Sequence, residues 1–178
     1  MIPLNDLHPG DLDARINLRD MLIERRVELG HSQASLAQHI GVTQSNIARI
    51  ETGTNWHIVK LQRIARGLNT RILLYPDGVP GGPYDDPTAD AFRPTNPQRA
   101  DHWDQRTLLA NLAAARQAVG LTQRQVGDVL GSSESAVGNY ERTKTGLMLI
   151  SPQRYCRAIG GELAMELMDL NVLAEVAA

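Results

Sequence analysis

The chain has 178 residues, 42% of them hydrophobic, one cysteine and a formal net charge of −2. The length suits one or two small domains, the apolar fraction is that of a folded chain, the lone Cys156 rules out an internal disulfide and a cysteine-built zinc site, and no apolar run approaches a membrane span. Charge is uneven: residues 12–75 carry nine Lys/Arg against five Asp/Glu, residues 76–101 two against five, and residues 102–170 seven of each sign, so the basic surplus sits in the first half.

The polar Met1–Gly10 stretch has no basic start and no apolar core, which predicts a cytoplasmic protein without a secretory signal. Leu18, Leu22, Val27 and Leu29 mark a first helix that ends at Gly30. Ser32 can cap a second helix, Gln33 to His39, with Leu36 and Ile40 facing inward. Gly41 breaks the chain, and Thr43 can cap a third helix holding Ile47 and Ile50. Ile58, Leu61, Ile64, Ala65 and Leu68 make one or two closing helices. Arg71 to Tyr75, bounded by Pro76, reads as a strand.

The stretch from Pro76 to about residue 100 is dense in Pro, Gly and Asp, a composition hostile to helices and central strands. Beyond it the pattern repeats, with Thr122 and Ser133 as caps and Gly120 and Gly131 as breaks. Cys156 reads as a small buried hydrophobe. Glu162 to Leu167 alternates polar with apolar residues after Gly160-Gly161 and reads as a strand, although its composition also suits a helix. The expected division is a first domain over 12–75, a linker over 76–100, a second domain over 101–170 and a tail over 171–178.

The two domains are copies of each other. At an offset of 90, Gly30-His-Ser-Gln33 meets Gly120-Leu-Thr-Gln123, Ile40-Gly41 meets Leu130-Gly131, Ser45-Asn-Ile47 meets Ser135-Ala-Val137, and Ile50-Glu51 meets Tyr140-Glu141. Arg26 likewise meets Arg116. The offset then becomes 91, where Ile64-Ala-Arg-Gly67 meets Tyr155-Cys-Arg-Ala158. A fixed offset over this length is the mark of an internal repeat.

A short helix, a tight turn and a further helix make a helix-turn-helix. The stretches Gly30-His-Ser-Gln-Ala-Ser-Leu-Ala37 and Gly41-Val-Thr-Gln-Ser-Asn-Ile-Ala-Arg-Ile-Glu51, with Gly120-Leu-Thr-Gln123 and Gly131-Ser-Ser-Glu-Ser-Ala-Val-Gly-Asn-Tyr-Glu141, resemble the Xre family, the fold of the phage lambda and 434 repressors and of many antitoxins. With the closing helices the resemblance spans about two thirds of the chain. It implies a mainly α fold of two tandem five-helix domains, each followed by a short β-strand that can pair into a small sheet. It also implies sequence-specific binding of double-stranded DNA, with the third helix of each copy in the major groove, and a transcriptional repressor as the function.

In that docking the first exposed side chains of the third helix meet base edges. In the first copy these are Thr43, Gln44, Ser45 and Asn46, with Arg49 one turn on. Gln and Asn can bond adenine, and Arg guanine, through two hydrogen bonds each. Gln33 opens the second helix, where the family places a phosphate contact. The family also pairs the positions of Arg26 and Glu51, and of Arg116 and Glu141, in ion pairs that tie the first helix to the third.

The second copy departs where bases would be read. Gln123, Ser133 and Ser135 keep their places, but Glu134 stands for Gln44 and Asn139 for Arg49. A carboxylate at that place repels phosphates but can accept from a cytosine amino group. Arg142 and Lys144 are placed to touch backbone phosphates. Either this domain reads a different sequence or it has left DNA and serves assembly; the first is the expectation.

Assembly has two readings as well. The strands pair within one chain, giving an internal pseudo-dimer, or like strands pair between two chains of a homodimer, as in Xre antitoxins with such a strand. Half-sites about 34 Å apart fit either. His8, His31, His39, His57 and His102 are scattered, without an H-E-x-x-H, a phosphate loop or a nucleophile elbow. The expectation is therefore no catalysis, no cofactor and no metal. The rival functions are an antitoxin, with a toxin protein as second partner, and a protein-interaction module with vestigial helices.

Overall fold

The structure, a computed structural model, describes residues 8–80, 93–143 and 146–170. The middle of the expected linker, the expected tail and Lys144 lie outside them. Contacts divide the chain into two compact units, Met1–Leu73 with Met165–Ala178 and Leu74–Ala164. No helix among the described residues is long and apolar enough to cross a membrane.

The first unit holds α1 (Pro9–Glu28), α2 (Gln33–Ile40), α3 (Gln44–Thr52) and α4 (Ile58–Gly67), which leads into strand β1 (Thr70–Asp77). Its core is aliphatic: Leu18, Leu22, Leu36, Ala37, Ile47, Ile50, Ile58, Leu61, Ile64, Ala65 and Leu68 are all buried. Of the four apolar residues that mark the first helix in the sequence, Leu18 and Leu22 are buried, while Val27 and Leu29 are 62% and 41% exposed. The inward stripe from Leu18 and Leu22 continues at helical spacing onto Arg25 and Arg26, which carry polar contacts; Val27 falls on the opposite face, and Leu29 lies past the last residue of α1, at its C-cap. Among the described residues each copy holds four helices rather than the expected five; in the first, Ile58, Leu61, Ile64 and Ala65 share one continuous helix.

The second copy of the repeat follows the same order with α5 (Pro97–Ala118), α6 (Gln123–Leu130), α7 (Glu134–Glu141), α8 (Ile150–Ala158) and strand β2 (Glu162–Asp169). Its core buries Leu108, Leu109, Leu112, Ala115, Val126, Val137, Leu147 and Leu149, and Cys156 is fully buried. Asn96 caps α5 by accepting from Arg99 N at 3.1 Å, and Pro97 follows in the first turn, where a missing N–H costs nothing. The strands pair with each other as a two-stranded antiparallel sheet. Pro76 sits inside β1 because a two-stranded sheet has an outer edge where a missing donor is tolerated.

A buried amide completes β1 on the side of α4. Gln62 Nε2 donates to Ile72 O at 2.6 Å, and Ile72 N donates to Gln62 Oε1 at 3.2 Å. The side chain thus does for Ile72 what a neighbouring strand would do. Gln153 holds the matching position in the second copy and is fully buried.

Candidate nucleic-acid interface

The turn between α2 and α3 is three residues, and its geometry rests on Gly41 in the left-handed conformation at φ 66°. Gly131 repeats it between α6 and α7 at φ 62°. Residues with a Cβ pay a steric cost at such angles, so the glycines fix where the next helix starts. The caps set the same register: Ser32 Oγ accepts from Ser35 N at 3.0 Å, and Ser133 Oγ from Ala136 N at 3.1 Å. Thr122 and Gln125 form a reciprocal capping box on α6. Thr43 stands at the N-cap of α3 but makes no cap bond; its hydroxyl is 2.9 Å from the Ser45 hydroxyl instead.

Helix α3 is divided lengthwise. Ile47 and Ile50 are buried, while Gln44, Ser45 and Arg49 are exposed and Asn46 is half-buried. Arg49 Nη2 donates to Asn46 Oδ1 at 2.9 Å, so the two polar ends lie together on the outer face. Four of the expected base-reading side chains therefore share one accessible surface.

Behind them, Glu51 gathers three elements. Arg26 Nε and Nη2 from α1 donate to its two carboxylate oxygens at 2.6 and 3.1 Å, and Gln33 Nε2 from α2 donates at 2.9 Å. Arg26 Nη1 donates to His31 O at 2.7 Å. Both partners of the ion pair keep only 12% of their side-chain surface exposed. Gln33 Nε2 carries two protons, so its bond to Glu51 leaves one for an outside acceptor.

The second copy builds the same junction with one more donor. Arg116 meets Glu141 at 2.7 and 3.3 Å and Leu121 O at 2.7 Å, and Gln123 Nε2 meets Glu141 at 2.7 Å. The Tyr155 hydroxyl of α8 also donates to Glu141. Burial pushes the Glu141 carboxyl up, but the hydrogen bonds from Arg116, Tyr155 and Gln123 outweigh it and hold the group below its ordinary value. The Arg116 guanidinium is raised by its bond to Glu141, and the Tyr155 hydroxyl is raised, first by burial and then by Glu141.

Sequence reasoning did not find this tyrosine pair. Tyr140 stacks on Tyr155 with ring centroids 5.5 Å apart, where the first copy has Ile50 and Ile64. The misaligned chemistry at both repeat positions was the available signal. Another buried group outside the expected set is Arg15, which donates to Asp11 O at 3.2 Å and Thr54 O at 2.6 Å. It binds α1 to the loop after α3. Burial lowers its guanidinium, with Asp11 opposing.

On α7, Ser133, Glu134, Ser135, Asn139 and Arg142 are all exposed. The Ser133 and Ser135 hydroxyls are 3.0 Å apart, and Arg142 Nη2 is 3.5 Å from Asn139 Oδ1. Gly138 lies beneath them: a Cβ there would be 3.0 Å from Gln123 Oε1 and 3.3 Å from Arg142 Nη2. Among the described residues no group of three or more His, Cys, Asp or Glu is arranged to hold a metal ion.

A family model described as Helix-turn-helix matches residues 22–74 and again residues 112–160, more than half of the chain. No curated protein and no solved structure matches the chain significantly.

Proposed function

The chain belongs to the helix-turn-helix family of DNA-binding transcriptional regulators, matched once in each half, and from that membership we propose that it is a repressor that reads double-stranded DNA with α3 and α7. The observation that carries this reading is the outer face of α3. Gln44, Ser45, Asn46 and Arg49 are presented there on a helix whose other face is locked by Ile47, Ile50 and the Arg26–Glu51 junction. Thr43 opens the helix, and Gln33 offers its remaining proton to a phosphate, with Arg26 close behind. In the second copy Gln123, Ser133, Glu134, Ser135, Asn139, Arg142 and Lys144 take the corresponding work.

Footprinting of the full chain on its own upstream region tests this. Protection is expected, weakening linearly in log–log terms as salt rises, since phosphate contacts release counterions. Gln44→Ala and Arg49→Ala are each expected to relax base preference by about 1–3 kcal/mol, and Gln33→Ala to weaken binding on all sequences alike. No salt-dependent affinity for any DNA would end the repressor reading.

The alternative is an antitoxin that also represses its own operon, and the strand that follows the last helix of each copy is what favours it. Co-purification of a neighbouring gene's product in a stoichiometric complex would decide for it. The pairing of β1 with β2 supports a protein that satisfies its strands without a second copy. Sedimentation at the monomer mass is expected, and twice that mass would favour the homodimer.

A further inference from the structure

The Asn–Arg couple of the first copy is present in the second, but it has moved. In α3 the couple is Asn46 and Arg49, three residues apart, with the guanidinium on the amide oxygen at 2.9 Å. In α7 it is Asn139 and Arg142, again three apart and in the same sense, at 3.5 Å. At the repeat offset of 90, Asn139 stands where Arg49 does and Arg142 where Thr52 does. The couple has therefore shifted by three residues, roughly 4.5 Å along the axis, toward the end of the helix.

Two further differences go with the shift. The first turn of α7 has lost its amides, with Glu134 in place of Gln44 and Ala136 in place of Asn46. Ala48 is replaced by Gly138, and the space its methyl would fill lies 3.3 Å from Arg142 Nη2 and 3.0 Å from Gln123 Oε1. In the first copy the Arg142 position is Thr52, whose hydroxyl turns back to Ala48 O at 2.8 Å and leaves no cation there. Glycine is costly inside a helix, so its presence under the one relocated arginine has a reason in what it lets that arginine do.

We propose that the second domain reads DNA with the displaced couple Asn139–Arg142, seated on the notch at Gly138, and that Arg142 takes a guanine base rather than a backbone phosphate. The proposal rests on the reading of this domain as DNA-binding. The Asn139 amide oxygen lies 3.5 Å from one guanidinium nitrogen, leaving the remaining donors, which match the guanine O6 and N7 acceptors as a point charge cannot. Gly138 is a positioning residue: it touches no base and acts through Arg142. The two domains then select unlike half-sites, and the one read by α7 carries its guanine preference at a different step from the one read by α3.

The test is selection of binding sequences from a random pool by the full-length wild type, Arg142→Lys, Gly138→Ala and Arg49→Ala, with affinities then measured on the wild-type consensus over a salt series. Arg142→Lys is expected to keep the salt slope but lose one guanine preference and roughly ten-fold in affinity for the consensus. Gly138→Ala is expected to lose the same preference while still unfolding in one cooperative transition. Arg49→Ala is expected to lose a different position. If Arg142→Lys and Gly138→Ala both select the wild-type consensus while Arg49→Ala does not, the proposal is overturned and α3 alone reads DNA. Were the wild type to enrich no sequence at all, both this proposal and the repressor reading would fall.

Discussion

At the scale of single residues, the two carboxylates Glu51 and Glu141 each gather donors from more than one helix. Each is almost fully buried against an arginine from the first helix of its copy. Arg26→Ala leaves Glu51 with Gln33 as its remaining donor, and a buried charge without its counter-ion is expensive. A loss of about 3 kcal/mol is expected in urea unfolding, and a melt superimposable on wild type would contradict it. Glu141 carries a pH dependence as well. Its carboxyl is depressed in the fold, so its contribution is complete above the ordinary glutamate value of about 4.3 and is lost as pH falls through the lower native value. Tyr155→Phe removes one of the bonds that depress it, and the acid-induced loss of stability is expected to be smaller in that variant than in wild type.

At the scale of elements, β1 depends on a side chain for half of its pairing at Ile72. Gln62→Leu keeps the volume near enough but strands a buried N–H and a buried C=O, and a loss of about 2 kcal/mol is expected by thermal melting. Nothing in the sequence around Gln62 announced this, because an amide on a helix reads as surface until the strand it serves is placed. What was legible were local rules. Gly41 and Gly131 are in the left-handed conformation, and Ser32, Thr122 and Ser133 cap as their residue types suggest. The strand at Glu162 was ambiguous in composition and was resolved by the repeat, which the structure bears out. Val27 is apolar yet exposed because it lies on the face of α1 opposite Leu18 and Leu22, and Leu29 because it stands at the C-cap where the helix has ended. Thr43 makes no cap bond, whereas its counterpart Ser133 caps α7 although its hydroxyl also lies 3.0 Å from that of Ser135. The polar face of α3 could be named from sequence, but its pairing of Asn46 with Arg49, and the displaced pairing on α7, are facts of rotamer and reach that spacing alone does not decide.

At the scale of the whole molecule, the first unit is not continuous in sequence. It takes in the stretch that begins at Met165, where Asp169 meets Arg25 of α1 at 2.7 Å and Leu170 N donates to Asn69 O at 3.0 Å. Removing residues 165–178 deletes this ion pair, this bond and most of β2. The truncated chain is expected to lose cooperative unfolding of the first unit before that of the second, as followed by hydrogen exchange at α1–α4 amides.

That interrupted path sets an order of events during synthesis. Helices α1 to α4 leave the ribosome early, yet their unit is finished only after translation has passed residue 169, when the whole of α5 to α8 has already been made. At a typical elongation rate of roughly 5–20 residues per second, the unit that carries α3 waits about 5–20 s for its last strand. A polypeptide stopped within the second copy would carry all of α3 and still lack the closure that holds its unit together. Premature termination would thus yield a fragment exposed to proteolysis rather than a competing half-size regulator.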